Sequence, residues 1–169
     1  MRLRTAFVLL PAALLLAACS SSADTAEEAA PAPAVVEPVT SCSDFVPLGD
    51  EAIVETVRAL PEVADHTVTS VRVSTDSDHP GEWALAVSLC DPSIESVEDL
   101  RPVATNFAKA VKAQPWTEEV FAVYVSNQWL VDGEPTPELK VKDGDFQLHL
   151  WNGKPSEKAE NERWEVISG

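Results

Sequence analysis

The chain has 169 residues, with 12 lysines and arginines against 28 aspartates and glutamates, a formal net charge of −16. Phosphate backbones would be repelled by that balance, so nucleic acid is not expected as a partner. One apolar run, residues 6–16, contains Pro11 and is about half the length of roughly twenty residues that a membrane-spanning helix needs.

Arg2 and Arg4 precede this run, and small residues follow it up to Cys19. These are the charged, apolar and small-residue regions of a secretory signal. The closing Leu16-Ala17-Ala18-Cys19 resembles a bacterial lipobox. The resemblance implies removal of residues 1–18 as a signal peptide. It further implies lipidation of Cys19, which becomes the new N-terminus, and a membrane anchor on the extracytoplasmic face. The Ala-, Val- and Glu-rich, Lys-poor composition is similar to lipoproteins of high-GC Gram-positive bacteria, which implies a cell-membrane location in an actinobacterial-type envelope. All acidic residues lie after Cys19, so the mature chain carries 10 basic and 28 acidic side chains, or −18. Such a chain reaches a bilayer by its acyl chains, not by charge. The negative charge is otherwise a solubility device.

Residues 20–41 are dominated by Ser, Ala, Glu and Pro and hold no aromatic residue. With Cys19 they form an expected disordered spacer, 19–41, that cannot bury enough apolar surface to order itself. A single globular domain is expected over 42–169. With Cys19 assigned to lipid, Cys42 and Cys90 remain as an even pair in an oxidising compartment, which favours a disulfide. Closing its loop of 48 residues would stabilise the fold by about 4 kcal/mol in the chain-entropy model. The alternatives are two buried thiols or one redox-active thiol.

Asp50 caps an expected helix from Glu51 to Leu60, with Ile53, Val57 and Leu60 on one face and Pro61 as its stop. Thr67–Thr75 alternates, placing Thr69, Val71 and Val73 opposite Ser70, Arg72 and Ser74. After a turn at 76–81, Glu82–Cys90 reads as a second strand. Its large face is Trp83, Leu85, Val87 and Leu89. Its small face is Ala84, Ala86, Ser88 and Cys90, which suits a central strand covered on both sides. Val97, Leu100, Val103, Ala104, Phe107, Ala108 and Val111 form a helical stripe. Pro102 fits best if Asp99 is the N-cap; a kinked helix from Ser96 is the alternative. Val120–Ser126 is a third strand, with Phe121, Val123 and Val125 on one face. Leu139–Lys142 and Asp145–Trp151 are expected to pair as a hairpin through a type I′ turn at Asp143-Gly144, with Phe146, Leu148 and Leu150 on one face. Arg163–Ile167 is a last short strand.

The expected fold is α+β: a two-layer sandwich with two helices packed on one face of an antiparallel sheet of about five strands, in the order α-β-β-α-β-β-β. That order is similar to envelope domains of the BON type. The likeness is topological, covers no motif and carries no function.

No nucleophile elbow, phosphate-binding loop or zinc-protease motif occurs. Asp76, Asp78, His79 and Glu82 offer oxygen and nitrogen ligands for a hard cation, though Asp, Ser, Pro and Gly at 76–81 are also what a turn uses. His149 as a catalytic base would need a carboxylate partner such as Asp145 or Glu165. Trp129, Trp151 and Trp164, with His149, could line a ligand groove, since aromatics are enriched at interfaces; the other reading is ordinary packing. The expected function is therefore non-catalytic and without a cofactor: a lipid-anchored domain that binds an envelope protein or cell-wall component. The alternative is a small-ligand or metal carrier serving a transporter.

Overall fold

The computed structural model describes residues 37–169. Cys19, the expected signal peptide and residues 20–36 of the expected spacer lie outside the described residues. In chain order the elements are β1 (Thr40–Ser41), β2 (Val46–Leu48), α1 (Glu51–Arg58), α2 (Pro61–Ala64), β3 (Thr67–Thr75), β4 (Trp83–Cys90), α3 (Val97–Lys112), β5 (Val120–Asn127), β6 (Leu130–Val131), β7 (Glu134–Pro135), β8 (Leu139–Asp143), α4 (Glu157–Asn161) and β9 (Glu165–Ser168). The fold is α+β, as expected. The end of the expected spacer is not wholly unstructured: Thr40 and Ser41 pair with Val131 and Leu130.

The main sheet has six strands in the order β2-β3-β4-β5-β8-β9, and β1, β6 and β7 form a separate three-stranded ribbon. The expectation of a wholly antiparallel five-stranded sheet with two helices is corrected on three counts: among the described residues the main sheet has six strands, the pairing is mixed and there are four α-helices. β2 runs parallel to β3, and β4 parallel to β5. The physical reason is connectivity. A helix spans each of these two connections, and a chain that crosses over by a helix returns in the same direction. The tight turn between β3 and β4 gives the antiparallel pair.

Asp50 caps α1, its side chain accepting from Ile53 N at 3.1 Å. The helix ends at Arg58, earlier than expected, and Pro61 opens α2 at its first turn, where a missing amide costs nothing. α3 starts at Val97, capped by Ser96, whose Oγ accepts from Asp99 N at 3.2 Å. Asp99 is thus not the N-cap, and Pro102 lies inside the helix on its exposed side, removing one intrahelical bond.

One apolar cluster joins the inward residues of the helices (Val54, Val57, Leu100, Phe107, Val111) to one parity of the strands (Val71, Leu85, Val87, Val123, Val125, Val141). Cys42 and Cys90 are joined as a disulfide. It ties the segment after β1 to the C-terminal end of central strand β4.

Two turns are corrected. Asp132 (φ 53°) and Gly133 (φ 87°) are both left-handed, as the centre of a type I′ hairpin requires, so the I′ hairpin joins β6 to β7. The segment 145–151, expected to pair with β8, forms no strand. A 3-10 turn spans Phe146–Leu148; Phe146 is fully buried, whereas Leu148 and Leu150 are exposed. The expected common face of these three residues therefore does not exist. A single turn of helix sends i and i+2 in different directions, which a strand would not.

Candidate functional site

Among the described residues no helix covers the strand parity opposite the core, which lines a trough of 620 Å³. The covered-face expectation for β4 is thereby corrected. Its small side chains, Ala84, Ala86 and Ser88, are the floor of the trough, and taller residues on β3, β5 and β8 stand beside them. Strand register orders these residues into rows. Ser70, Ser88, Ser126 and Lys140 lie side by side across β3, β4, β5 and β8; Arg72, Ala86, Tyr124 and Lys142 form the next row. Ser74, Ala84 and Ala122 follow.

A bulge completes one end. Trp83 pairs with Val120 and Ala84 with Ala122, leaving Phe121 as the extra residue of β5. This corrects the expected face of Phe121, Val123 and Val125. Val120, Val123 and Val125 face the core, and the bulge re-aims Phe121 into the trough, as such irregularities do. There the His79 ring stacks on Phe121, with centroids 4.0 Å apart and planes 2° from parallel.

Three serine hydroxyls connect across the floor. Ser70 Oγ donates to Ser88 Oγ at 3.1 Å, and Ser126 Oγ donates to Ser88 Oγ at 3.0 Å. Three hydroxyls carry three protons, and these two contacts use two of them. Whichever way the trio is oriented, one O–H remains for an outside acceptor. The walls add more donors: Arg72, Lys140 and Lys142 are three of the ten basic residues that follow Cys19. Lys140 Nζ lies 3.8 Å from Glu138. Lys142 Nζ lies 5.5 Å from the centre of the Tyr124 ring. Arg72 and Lys142 form no ion pair among the described residues, although Glu165 stands beside Lys142 across the β8–β9 register. Asp76 and Asp78 occupy the turn end of the trough.

The candidate cation ligands at that turn do not converge. Asp76 Oδ1 accepts from Asp78 N at 2.9 Å, and His79 Nδ1 lies 3.2 Å from Glu82 Oε2. Among the described residues no three His, Cys, Asp or Glu side chains are grouped to hold a metal. The acidic residues cap the turn, and His79 is committed to Phe121.

The tryptophan groove is likewise not assembled. Trp151 and Trp164 pack against each other, centroids 4.9 Å apart and planes tilted by 33°, but are core residues, 4 % and 2 % exposed. Trp164 Nε1 donates to Thr105 Oγ1 at 3.0 Å. Trp129 lies between β5 and the ribbon strand β6, its amide and carbonyl bonded to the Thr136 hydroxyl. Large rings gain more by filling the edge of the core than by lining a surface.

His149 does find a carboxylate, but it is Asp143, not Asp145 or Glu165. His149 Nδ1 lies 2.9 Å from Asp143 Oδ1, and Trp151 Nε1 donates to Asp143 Oδ2 at 2.9 Å. Asp145 N also donates to Oδ1, at 3.1 Å. Asp143 is 2 % exposed, and its oxygens are spent on holding the 143–151 loop. Trp151 sits there at φ 47°, a conformation a bulky residue keeps only when its surroundings enforce it. Nearby, Lys112 Nζ lies 4.1 Å from the centre of the Phe146 ring. Burial pushes the Lys112 ammonium below its ordinary range, partly offset by the charges of Asp143 and Glu118. The His149–Asp143 pair does not line the trough, and its bonds are those of a structural clamp.

Sequence reasoning did not single out the trough, although its parts were visible. A polar or small face on Ser70/Arg72/Ser74 and Ala84/Ala86/Ser88, with lysines two apart at 140 and 142, is the available signal. Comparison of the chain with family models, with curated proteins and with solved structures yields no match.

Proposed function

We propose that this chain is a membrane-tethered, extracytoplasmic binding protein without catalytic activity, which holds a ligand of the envelope compartment in the open-face trough. The observation that carries the reading is the trough itself: a concave polar surface of ligand-accommodating size where an α+β sheet would otherwise be covered or flatly solvated. The lipobox resemblance and the Ser-, Ala-, Glu- and Pro-rich stretch after Cys19 support the tether. The disulfide agrees with an oxidising compartment.

Two measurements test this on the protein purified from its own host. Cys19→Ala moves the protein from the membrane to the soluble fraction if the tether is lipid. Native mass spectrometry shows a bound non-protein mass in the wild type that is lost in Ser88→Trp, which fills the floor. A clean apo mass from native membranes, with no partner recovered by whole-cell crosslinking through Tyr124 or Lys142, overturns the proposal.

A further inference from the structure

We infer that the trough takes a small soluble ligand with a single oxyanion head, a carboxylate or a phosphate, seated over Arg72, Lys140, Lys142 and the serine trio. This rests on the trough being a binding site and deepens that reading. The first argument is the hydrogen-bond inventory. The spare hydroxyl proton of the Ser70–Ser88–Ser126 trio, the guanidinium of Arg72 and the ammonium groups of Lys140 and Lys142 are all donors. Glu138, beside Lys140, is the one carboxylate at this end of the trough among the described residues, so donors outnumber ionised acceptors there, and an ionised oxyanion, which only accepts, complements them.

The second argument is charge. Arg72, Lys140 and Lys142 share the trough with three carboxylates, but Asp76 and Asp78 sit at its turn end and Glu138 pairs with Lys140, which leaves Arg72 and Lys142, among the described residues, as the free cations over the floor. Arg72 and Lys142 occupy one row on opposite walls, three strand spacings or about 14 Å apart at the backbone, with long flexible stems that can close over Ala86. Neither is neutralised by an ion pair among the described residues.

The acidic end and the volume of the trough set the polarity and size of the ligand. Asp76 and Asp78 lie at the far end, so a second negative charge there is repelled, and hydroxyl or amine donors on the ligand body are favoured. A volume of 620 Å³ matches a single small molecule. The rest of the surface is strongly acidic and repels a polyanion or an anionic bilayer, whereas a small anion entering within a screening length of the cations, about 8 Å at physiological salt, experiences mainly their attraction.

The test uses probes that share one body and differ in the head: glucose 6-phosphate, glucuronate and glucose, titrated into the isotopically labelled chain lacking residues 1–18 and followed by amide shifts of Ser88, Tyr124 and Lys142. The expected result is saturable shifts with both anions, with affinity about tenfold or more above that for glucose, the discrimination that charge-assisted bonds supply. Arg72→Glu and Lys142→Glu abolish that difference, whereas Lys158→Glu, on the exposed face of α4, leaves it intact. Glucose binding as tightly as the anions overturns the oxyanion head while leaving the trough a ligand site. Shifts with no probe overturn the inference, and the native mass measurement above then decides the binding reading separately. Co-sedimentation with phosphatidylglycerol vesicles, blocked by Lys142→Glu, overturns the assignment to a soluble ligand.

Discussion

Removing the carboxylate of Asp143 should destabilise the domain well beyond a surface substitution. In Asp143→Ala three donors lose their acceptor: Trp151 Nε1, His149 Nδ1 and Asp145 N. Trp151 is 4 % exposed and has no route to water, whereas the His149 and Asp145 groups lie nearer solvent. One fully stranded donor and two partly rehydrated ones sum to about 2–4 kcal/mol. For a domain of this size that is roughly a 10 °C fall in melting temperature. Asp143→Asn should cost about half as much. Its remaining oxygen serves Trp151, and its amide donates to His149 once the ring takes the tautomer with Nδ1 unprotonated. The assay is a double-mutant cycle with Trp151→Phe, read by urea unfolding. Phe keeps the ring but has no Nε1 to strand, so Asp143→Ala should cost about 1–3 kcal/mol less in that background. Equal costs in the two backgrounds would refute the clamp.

Replacing both Cys42 and Cys90 by Ala should lower stability by about 4 kcal/mol, from the closed loop of 48 residues. Cys42 is exposed, so a reductant should reproduce the loss in wild-type protein and leave the variant unchanged; unfolding curves indifferent to reductant would contradict this. Asp91 is held below the ordinary carboxylate range, chiefly by the Ser93 hydroxyl at 2.6 Å and further by the Ser93 amide and His66. A lowered folded-state value means stabilisation that is full above the ordinary carboxylate value and lost as pH falls through the lowered one. Wild type should therefore exceed Ser93→Ala at neutral pH, with the gap closing on acidification. A gap that persists unchanged into acid would show that the bond does not depend on the charge of Asp91.

Long, strongly patterned elements were legible in the sequence. β3 alternates as read from Ser70 to Ser74, though a bulge at Thr69 sets Val68 rather than Thr69 against the core beside Val71 and Val73, and α3 buries the stripe from Val97 to Val111. The disulfide followed from redox chemistry and parity of the cysteine count. Elements governed by tertiary context were not legible. β2 is three residues long with Val46 and Pro47 exposed, so no periodicity marks it, yet without it the parallel edge is missed. The bulge at Phe121 adds one residue and thereby inverts the face of everything before it. The Phe146–Trp151 stretch alternates like a strand but is folded by its bonds to Asp143. As for the trough, its rows join residues as far apart as Ser70 and Lys140. No local window contains them, and aromatic content pointed to rings that the core absorbs.

The position of the disulfide gives the fold a mechanical character. A pull on the chain ahead of Thr40 meets the two hydrogen bonds between Val39 and Asp132 and the two pairs of β1, a short ribbon that peels readily. The load then passes at Cys42 into Cys90 and so into β4, which neighbours grip on both sides along its length. Residues 43–82 are bypassed by that covalent path. β2, α1, α2 and the wall of the trough formed by β3 would keep their shape under drag, and a bound molecule would be hauled from the middle of the sheet.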